Sequence, residues 1–380
     1  MPLQVFSSND ELESCILRNG HFDEEPATSH WYAVMSDITA ADNYDHALLA
    51  TDRSNARLGG MWQNIRSDCL DSNTWYEVQA NVLLRQAGTE VTVDCDPSIP
   101  WFTHERSCPS IAIKNGHHLV EDIAWTVGPL SSSGTNVDGW YRLYGVFRPT
   151  KEILDKNYVA LFVARAPTNV DIVVDQVQIN PVNEFTVGVI PDCASNLVVN
   201  GNAETGDFRY WWIRGNGGDS GHIEVPQTNT ERGFVFRHAG YRSERWRGML
   251  QNLVDTTCLT PGSRWRISAV FRYFETNEDG VQIPRACDKT NPLTEYSCPV
   301  FEMQFFSPQK PGKATINTGP LTNEDAIESP EVVLGGWNRI VHTITISKEM
   351  AKSSDVWLYV QSVGTGFNYE LDDVEMVRVN

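Results

Sequence analysis

Asp175 and Asp372 are the residues whose surroundings first call for chemistry. They lie in Asp171–Ile179, D-I-V-V-D-Q-V-Q-I, and in Asn368–Met376, N-Y-E-L-D-D-V-E-M. Asp372, Val374 and Met376 share one parity, as do Asp175, Val177 and Ile179. Residues of one parity face one side of an extended strand. Each segment is therefore expected to turn a carboxylate toward its apolar side. A carboxylate placed there must be paired, protonated or bound to a cation, because desolvating a lone charge is costly.

A second chemistry is that of sugar recognition. Pyranose rings present flat C–H faces ringed by hydroxyls. A site for them needs an exposed Trp or Tyr beside planar hydrogen-bonding side chains. In Phe301–Phe306, F-E-M-Q-F-F, the residues Phe301, Met303 and Phe305 alternate with Glu302, Gln304 and Phe306. Glu302 and Gln304 are thus expected to face a cleft.

Other chemistries find no support. Gly218-Asp219-Ser220-Gly221 has the letters of a trypsin-like nucleophile loop, but no A-A-H-C accompanies it, and it reads as a Gly-rich loop. His117-His118 has no metal-ligand spacing, and phosphate-binding glycine loops are missing. No pair of carboxylates with a hydrolase signature can be picked out for glycosidase chemistry.

The elements that must position these residues form two copies of one pattern. Asn19–Asp23 matches Asn200–Glu204, and Arg57–Ile65 matches Arg245–Leu253. Trp75 falls opposite Trp265, Ser107-Cys108-Pro109 opposite Ser297-Cys298-Pro299, and Gly139-Trp140 opposite Gly336-Trp337. Tyr158–Val163 then pairs with Val356–Val360, and the two Asp-bearing segments close each copy. Seven blocks in one order point to a duplication. The apolar blocks are short, rich in Val, Ile, Phe, Tyr and Trp, and bounded by Gly, Pro, Asn or Asp. That is the signature of an all-β sandwich. Only Lys151–Asn157 and Ser347–Ser353 could form a helical turn or two. Lys114–Asp138 and Ser307–Pro330 read as long polar connections.

With 380 residues the chain suits two domains. The expected division is an N-terminal segment 1–14, a first sandwich 15–182, a linker 183–192 and a second sandwich 193–380. A net charge of −19 argues against nucleic acid and polyanionic sugars, although a local basic patch could override the average. No run approaches the roughly 20 apolar residues of a membrane span. The N-terminus lacks the basic and apolar regions of a signal peptide, and the chain is expected to be a mature piece of a longer precursor.

All eight cysteines obey the duplication. Cys95–Cys108 and Cys287–Cys298 flank short polar loops and are expected to form local bridges. That leaves Cys15–Cys69 and Cys193–Cys258. Zinc is the rival, but no C-x-x-C occurs. Each bridge would contribute about 3–4 kcal/mol by loop closure. The expected compartment is therefore oxidising: secreted, cell-surface or wall-associated. No N-glycosylation sequon occurs.

Each half resembles the carbohydrate-binding modules of the cellulose/xylan-binding type, with a galactose-binding-like jelly roll. The resemblance rests on an opening N-G-x-x-[D/E], an Arg…Trp stretch, an aromatic-led strand, a Gly-Trp strand and a closing apolar-Asp-x-Val strand. In the second half these are Asn200–Glu204, Arg242–Leu253, Trp265–Phe274, Gly336–Trp337 and Leu371–Val374; in the first, Asn19–Asp23, Arg53–Ile65, Trp75–Leu84, Gly139–Trp140 and Val174–Val177. It covers nearly the whole chain.

The resemblance implies a structural calcium ion in each copy, held by Glu204 with Asp372 and by Asp23 with Asp175. Backbone carbonyls would complete the six to eight oxygens that calcium needs. The second site ranks above the first, where Gln176 replaces the second Asp. The resemblance also implies that Trp246 stacks on a sugar, with Arg242 and Gln251 beside it. Aromatics found in both halves, Trp75/Trp265 and Trp140/Trp337, are expected in the core.

The first half departs from the second at the expected site. Leu58 stands opposite Trp246, Trp62 opposite Leu250, and Ala112 and Lys114 opposite Glu302 and Gln304. Its candidates are Trp62 and Arg53, with Trp101 and Trp31-Tyr32 as further contacts, and its site is expected to be moved, altered or lost. The expected function is non-catalytic binding of a neutral or weakly charged polysaccharide by tandem modules of a larger secreted protein. The rival is a structural or adhesion protein using its jelly rolls for protein contacts. An enzymatic reading would need a cleft with convergent acid and base groups.

Overall fold

The computed structural model describes residues 15–44, 46–99, 105–115, 120–130, 138–155, 159–182, 190–215, 218–228, 232–277, 281–288, 294–307, 313–321 and 334–379. The chain divides into two compact units, Met1–Ile190 and Pro191–Asn380. Both are β-sandwiches, as the short Val-, Ile- and aromatic-rich blocks dictate.

The strands of the first unit are β1 (Tyr32–Val34), β2 (Asp37–Ala40), β3 (Leu48–Thr51), β4 (Gly60–Ile65) and β5 (Tyr76–Gln86). They continue as β6 (Ser110–Asn115), β7 (Val120–Pro129), β8 (Trp140–Phe147), β9 (Val159–Ala164) and β10 (Val170–Pro181). Their order is β1-β4-β9-β6-β7-β8-β5-β10-β3-β2. β7 pairs with both β6 and β8 and joins the two layers along one edge.

The second unit contains β11 (Trp212–Ile213), β12 (Ser220–Glu224), β13 (Phe236–Arg242), β14 (Met249–Asn252), β15 (Arg264–Thr276) and β16 (Gln282–Pro284). β17 (Val300–Phe306), β18 (Ala314–Asn317), β19 (Asn338–Thr345), β20 (Asp355–Gln361) and β21 (Phe367–Val379) follow. One layer runs β11-β14-β20-β17-β18, the other β12-β13-β21-β15, with β19 beside β15. Strand for strand this is the order of the first unit, with β16 added as a short hairpin extension of β15.

Four disulfides staple the units: Cys15–Cys69, Cys95–Cys108, Cys193–Cys258 and Cys287–Cys298. Among the described residues helix is limited to residues 15–16, to α1 (Lys151–Leu154), capped by the Thr150 side chain, and to short 3-10 turns such as Met350–Lys352.

Several sequence expectations need correction. Lys114–Asp138 contains β7, whose apolar positions Ile123 and Val127 are diluted by Glu, Asp and Thr. Ser307–Pro330 contains β18, an edge strand without a buried face. Trp265 is matched in register by Tyr76 rather than Trp75, and both Trp265 and Tyr76 are buried while Trp75 is half-exposed. Trp140 and Trp337 lie half-buried on outer faces.

The parity argument for the closing strands also fails. Asp175 pairs with Asn81 and Asp372 with Val270, while Val174 and Leu371 pair with core residues Val82 and Phe271. A bulge follows each Asp, with Gln176 and Asp373 at φ 53° and 50°. The extra residue shifts the following side chains to the other face. Both carboxylates therefore sit on the outer layer, and Val177 and Val374 drop into the core.

A buried polar group distinguishes the second core. His238 is fully enclosed, with Nε2 2.8 Å from the Ser220 carbonyl and Nδ1 3.2 Å from the Tyr369 hydroxyl. Burial, aided by Arg242, holds its pKa well below the usual histidine value. The unfolded chain takes up this proton near pH ~6.5 while the folded chain stays neutral, so folding stability drops as pH falls below that value. The expected slope is up to about 1.4 kcal/mol per pH unit. Urea midpoints measured from pH 7 to pH 5 should fall accordingly, and less steeply for His238→Ala, which carries the side chain of Ala50 at the matching position.

Candidate functional site

The outer face of the β11-β14-β20-β17-β18 layer gathers the chemistry of the second unit. Cross-strand pairing puts Trp212, Leu250, Tyr359 and Glu302 in one row, and Asn252, Trp357 and Gln304 in the next. The intervening residues Met249, Leu358, Met303 and Phe305 point inward and are buried. Alternation in F-E-M-Q-F-F and V-W-L-Y-V-Q thus splits one layer into an apolar underside and a polar outer face.

Arg214, just past β11, lies across this face. Its guanidinium is 4.2 Å from the Tyr359 ring centroid and 5.3 Å from that of Trp246. Nη1 lies 3.2 Å from Glu302 and also donates to Gln361. Glu302 accepts from Gln304 Nε2 at 2.8 Å and from Gln361 Nε2. The Tyr359 hydroxyl donates to Gln304 Oε1 at 3.1 Å. Burial pushes the Tyr359 pKa up, with Arg214 acting in the opposite direction, so the phenol remains a donor.

Trp246 stands at the margin of this network, 42% exposed, with Arg247 over its ring at 4.8 Å. Arg247 is itself tied to Asp219 at 2.8 Å. A rigid indole flanked by guanidinium, carboxylate and amide groups can stack on a ring and bind its hydroxyls.

The structure brings Trp246, Glu302 and Gln304 together but moves Arg242 and Gln251 elsewhere. Arg242 is fully buried and donates from Nη2 to the carbonyls of Gly364, at 2.7 Å, and Phe367. Arg53 does the same in the first unit, holding the carbonyls of Gly59, Ala166, Pro167 and Val170, and burial pulls its pKa down to about 10. Gln251 faces inward, and its amide exchanges two 2.8 Å hydrogen bonds with the backbone of Val199. These three side chains fasten loops and entry segments: Arg242 and Gln251 from strand positions that point into the sandwich, Arg53 from the buried segment just past β3.

Arg214, Tyr359 and Gln361 are the site residues missed in the sequence. The shared parity of Trp357, Tyr359 and Gln361 would have indicated two of them.

In the first unit Trp62 lies on the matching face, half-buried, and Tyr32 beside it is 52% exposed. Trp31 is a core residue whose Nε1 donates to the Asn19 carbonyl at 3.1 Å. Trp101 lies outside the described residues.

The proposed calcium ligands fit a cation unequally. In the second unit Arg232 Nη1 lies 2.7 Å from Asp372 and 2.8 Å from Asp373, so a guanidinium already supplies the counter-charge. Glu204 is exposed and accepts from the Phe234 amide at 3.2 Å. These residues do not fit a calcium site. In the first unit Asp23 is 3.0 Å from His46 and close enough to Asp175 to raise its pKa, although burial is the larger cause. Among the described residues no Arg or Lys pairs with Asp175.

No family model matches the sequence, and no curated protein matches it. Solved structures do. The chain is similar to carbohydrate-binding modules. The N-terminal tandem of two CBM22 domains from Paenibacillus barcinonensis Xyn10C is 16% identical, with 93% of this chain and 94% of that one covered and a TM-score of 0.34. The C-terminal family 22 carbohydrate-binding module of Clostridium thermocellum Xyn10B is 14% identical over 44% of this chain and 86% of that one, with a TM-score of 0.28. A putative sugar-binding protein from Bacteroides thetaiotaomicron is 13% identical over 48% of this chain and 100% of that one, with a TM-score of 0.27. Scores this low carry no weight for ligand, and the sandwich assignment stands on the strand orders themselves.

Glu302 is the hub of the network, accepting from three side chains while 4% exposed. Glu302→Ala leaves Arg214 without its carboxylate, at an expected cost of about 2–4 kcal/mol. Chemical denaturation of the variant against wild type measures it.

Proposed function

We propose that the chain binds a neutral or weakly charged extracellular polysaccharide without catalysis, through the outer face of the β11-β14-β20-β17-β18 layer. The observation that carries this reading is the closed set of donors and acceptors on Arg214, Glu302, Gln304, Tyr359 and Gln361 beside the exposed indole of Trp246. Held in place before a ligand arrives, such groups lose little entropy on binding. Glu302, buried and held by three donors, fixes Arg214, Gln304 and Gln361 in position to meet sugar hydroxyls. Four disulfides suit an oxidising compartment, and an extracellular setting is part of the proposal. So is the origin of the two units by duplication, supported by their matching strand orders.

A glycan array with wild type and Trp246→Ala tests the site. The variant is expected to lose about tenfold or more in affinity for its neutral glycan, the loss typical of a central aromatic anchor, with an unchanged circular dichroism spectrum. Unchanged glycan retention would remove this face as the site.

We further propose that a divalent cation binds at Asp23 and Asp175 and not at Glu204 and Asp372. Hydrogen exchange with and without a chelator checks this. Chelation should loosen β10 and the Asn19–Asp23 segment and leave β21, in the other unit, unaffected, since a bound ion stabilises the folded unit that holds it. Loosening confined to β21 would reverse the assignment.

A further inference from the structure

The matching face of the first unit has lost every polar member of the second-unit network. Val34 takes the position of Arg214, Ala112 that of Glu302, Lys114 that of Gln304, Phe162 that of Tyr359 and Ala164 that of Gln361. A different set has been built in its place. Tyr32, Trp62, Phe162, Ala112 and Asp122 form one row across β1, β4, β9, β6 and β7. The Tyr32 and Trp62 rings lie 5.0 Å apart, and Trp62 stacks with Phe162 at 6.1 Å and 20°. Tyr32 remains open to solvent.

The carboxylate now comes from the neighbouring strand. Asp122 accepts from Ser110 Oγ at 2.9 Å and from Arg165 Nε at 3.0 Å, and Arg165 is 5% exposed. Burial raises the Asp122 pKa, while Arg165 and Arg57 pull it down. Lys114, on the same face two residues beyond Ala112, makes no ion pair among the described residues. Lys114 and Arg57 bring positive charge to a face on which Asp122 is already held by Arg165, in a chain whose net charge is −19. At physiological salt the Debye length is about 8 Å, so a ligand on this face feels these local cations more than the distant acidic surface.

We propose that this face is a second glycan site, of a different specificity: it takes a polysaccharide bearing carboxylate groups, such as a uronic-acid polymer. Tyr32 and Trp62 stack on the sugar rings, and Lys114 with Arg57 meets the carboxylates. The proposal rests on the reading of the chain as a glycan binder and adds a ligand class to it.

Calorimetric titration of the full chain with an oligogalacturonate and with xylohexaose, at low and high salt, tests it on wild type, Trp246→Ala, Trp62→Ala and Lys114→Gln. Melting curves confirm that each variant folds. Oligogalacturonate binding should survive Trp246→Ala, weaken about tenfold or more in Trp62→Ala, and lose part of its salt dependence in Lys114→Gln. Xylohexaose binding should respond to Trp246→Ala alone. Failure of wild type to bind oligogalacturonate overturns the proposal, as does its loss in Trp246→Ala or its indifference to Trp62→Ala, and the second-unit site then stands. Loss of xylohexaose in Trp62→Ala but not in Trp246→Ala overturns the second-unit site instead.

Discussion

In each unit the closing strand swells by a bulge, and a glycine at the start of the unit fits against it. The Val177 amide donates to the Gly20 carbonyl and the Val374 amide to that of Gly201, both at 2.9 Å. A Cβ on either glycine would lie 2.1 or 2.0 Å from the Val177 or Val374 carbonyl oxygen, so only glycine permits the approach. The entry segment is thereby laid along the sandwich, where the Gln63 and Gln251 amides satisfy the backbone of Arg18 and Val199 as a neighbouring strand would. The bridges Cys15–Cys69 and Cys193–Cys258 tie the same segments covalently, and Arg53 and Arg242 fasten the carbonyls just ahead of the closing strand. Register of β10 and β21, and with it the choice of inward and outward side chains, depends on this clasp.

That constraint also explains how far the sequence could be read. Strand content, two units, the cysteine partners and the outward direction of Glu302 and Gln304 follow from local composition and alternation. The bulges do not, because one extra residue leaves no compositional mark, and they reverse the faces assigned to Asp175 and Asp372. Arg53, Arg242 and Gln251 were misplaced for another reason. A polar side chain that replaces backbone pairing inside a sandwich has the same letters as one that greets a ligand. Arg214 was illegible because its role comes from a cross-sheet reach to Tyr359 and Glu302, which sequence spacing does not encode.

The two units also show one backbone supporting different interactions. Beneath Trp140 and Tyr44 in the first unit, Ala41, Ala47, Leu83 and Val173 form a small apolar cluster. At the matching positions in the second, Glu370 is fully buried between Arg237 and Arg272, and Trp337 lies between Arg232 and Arg272 at 4.8 and 5.2 Å. The apolar version tolerates salt and acid; the charged one holds only while each partner remains, since an orphaned buried charge is severely destabilising. The outer face of the other layer diverges in the same sense, polar in the second unit and aromatic in the first. Conserved strand geometry with exchanged side chains is how one scaffold hosts separate recognition chemistries.

The central claim is that Trp246 and the network around Glu302 receive a sugar chain on a preformed sheet face. An NMR titration of the full chain with a neutral xylo-oligosaccharide tests it most directly. The account predicts saturable shifts of the Trp246 indole, the Arg214 guanidinium and the Gln304 and Gln361 side-chain amides, with the buried Gln251 amide unmoved. Saturable shifts that bypass those groups and gather elsewhere in the second unit would contradict it.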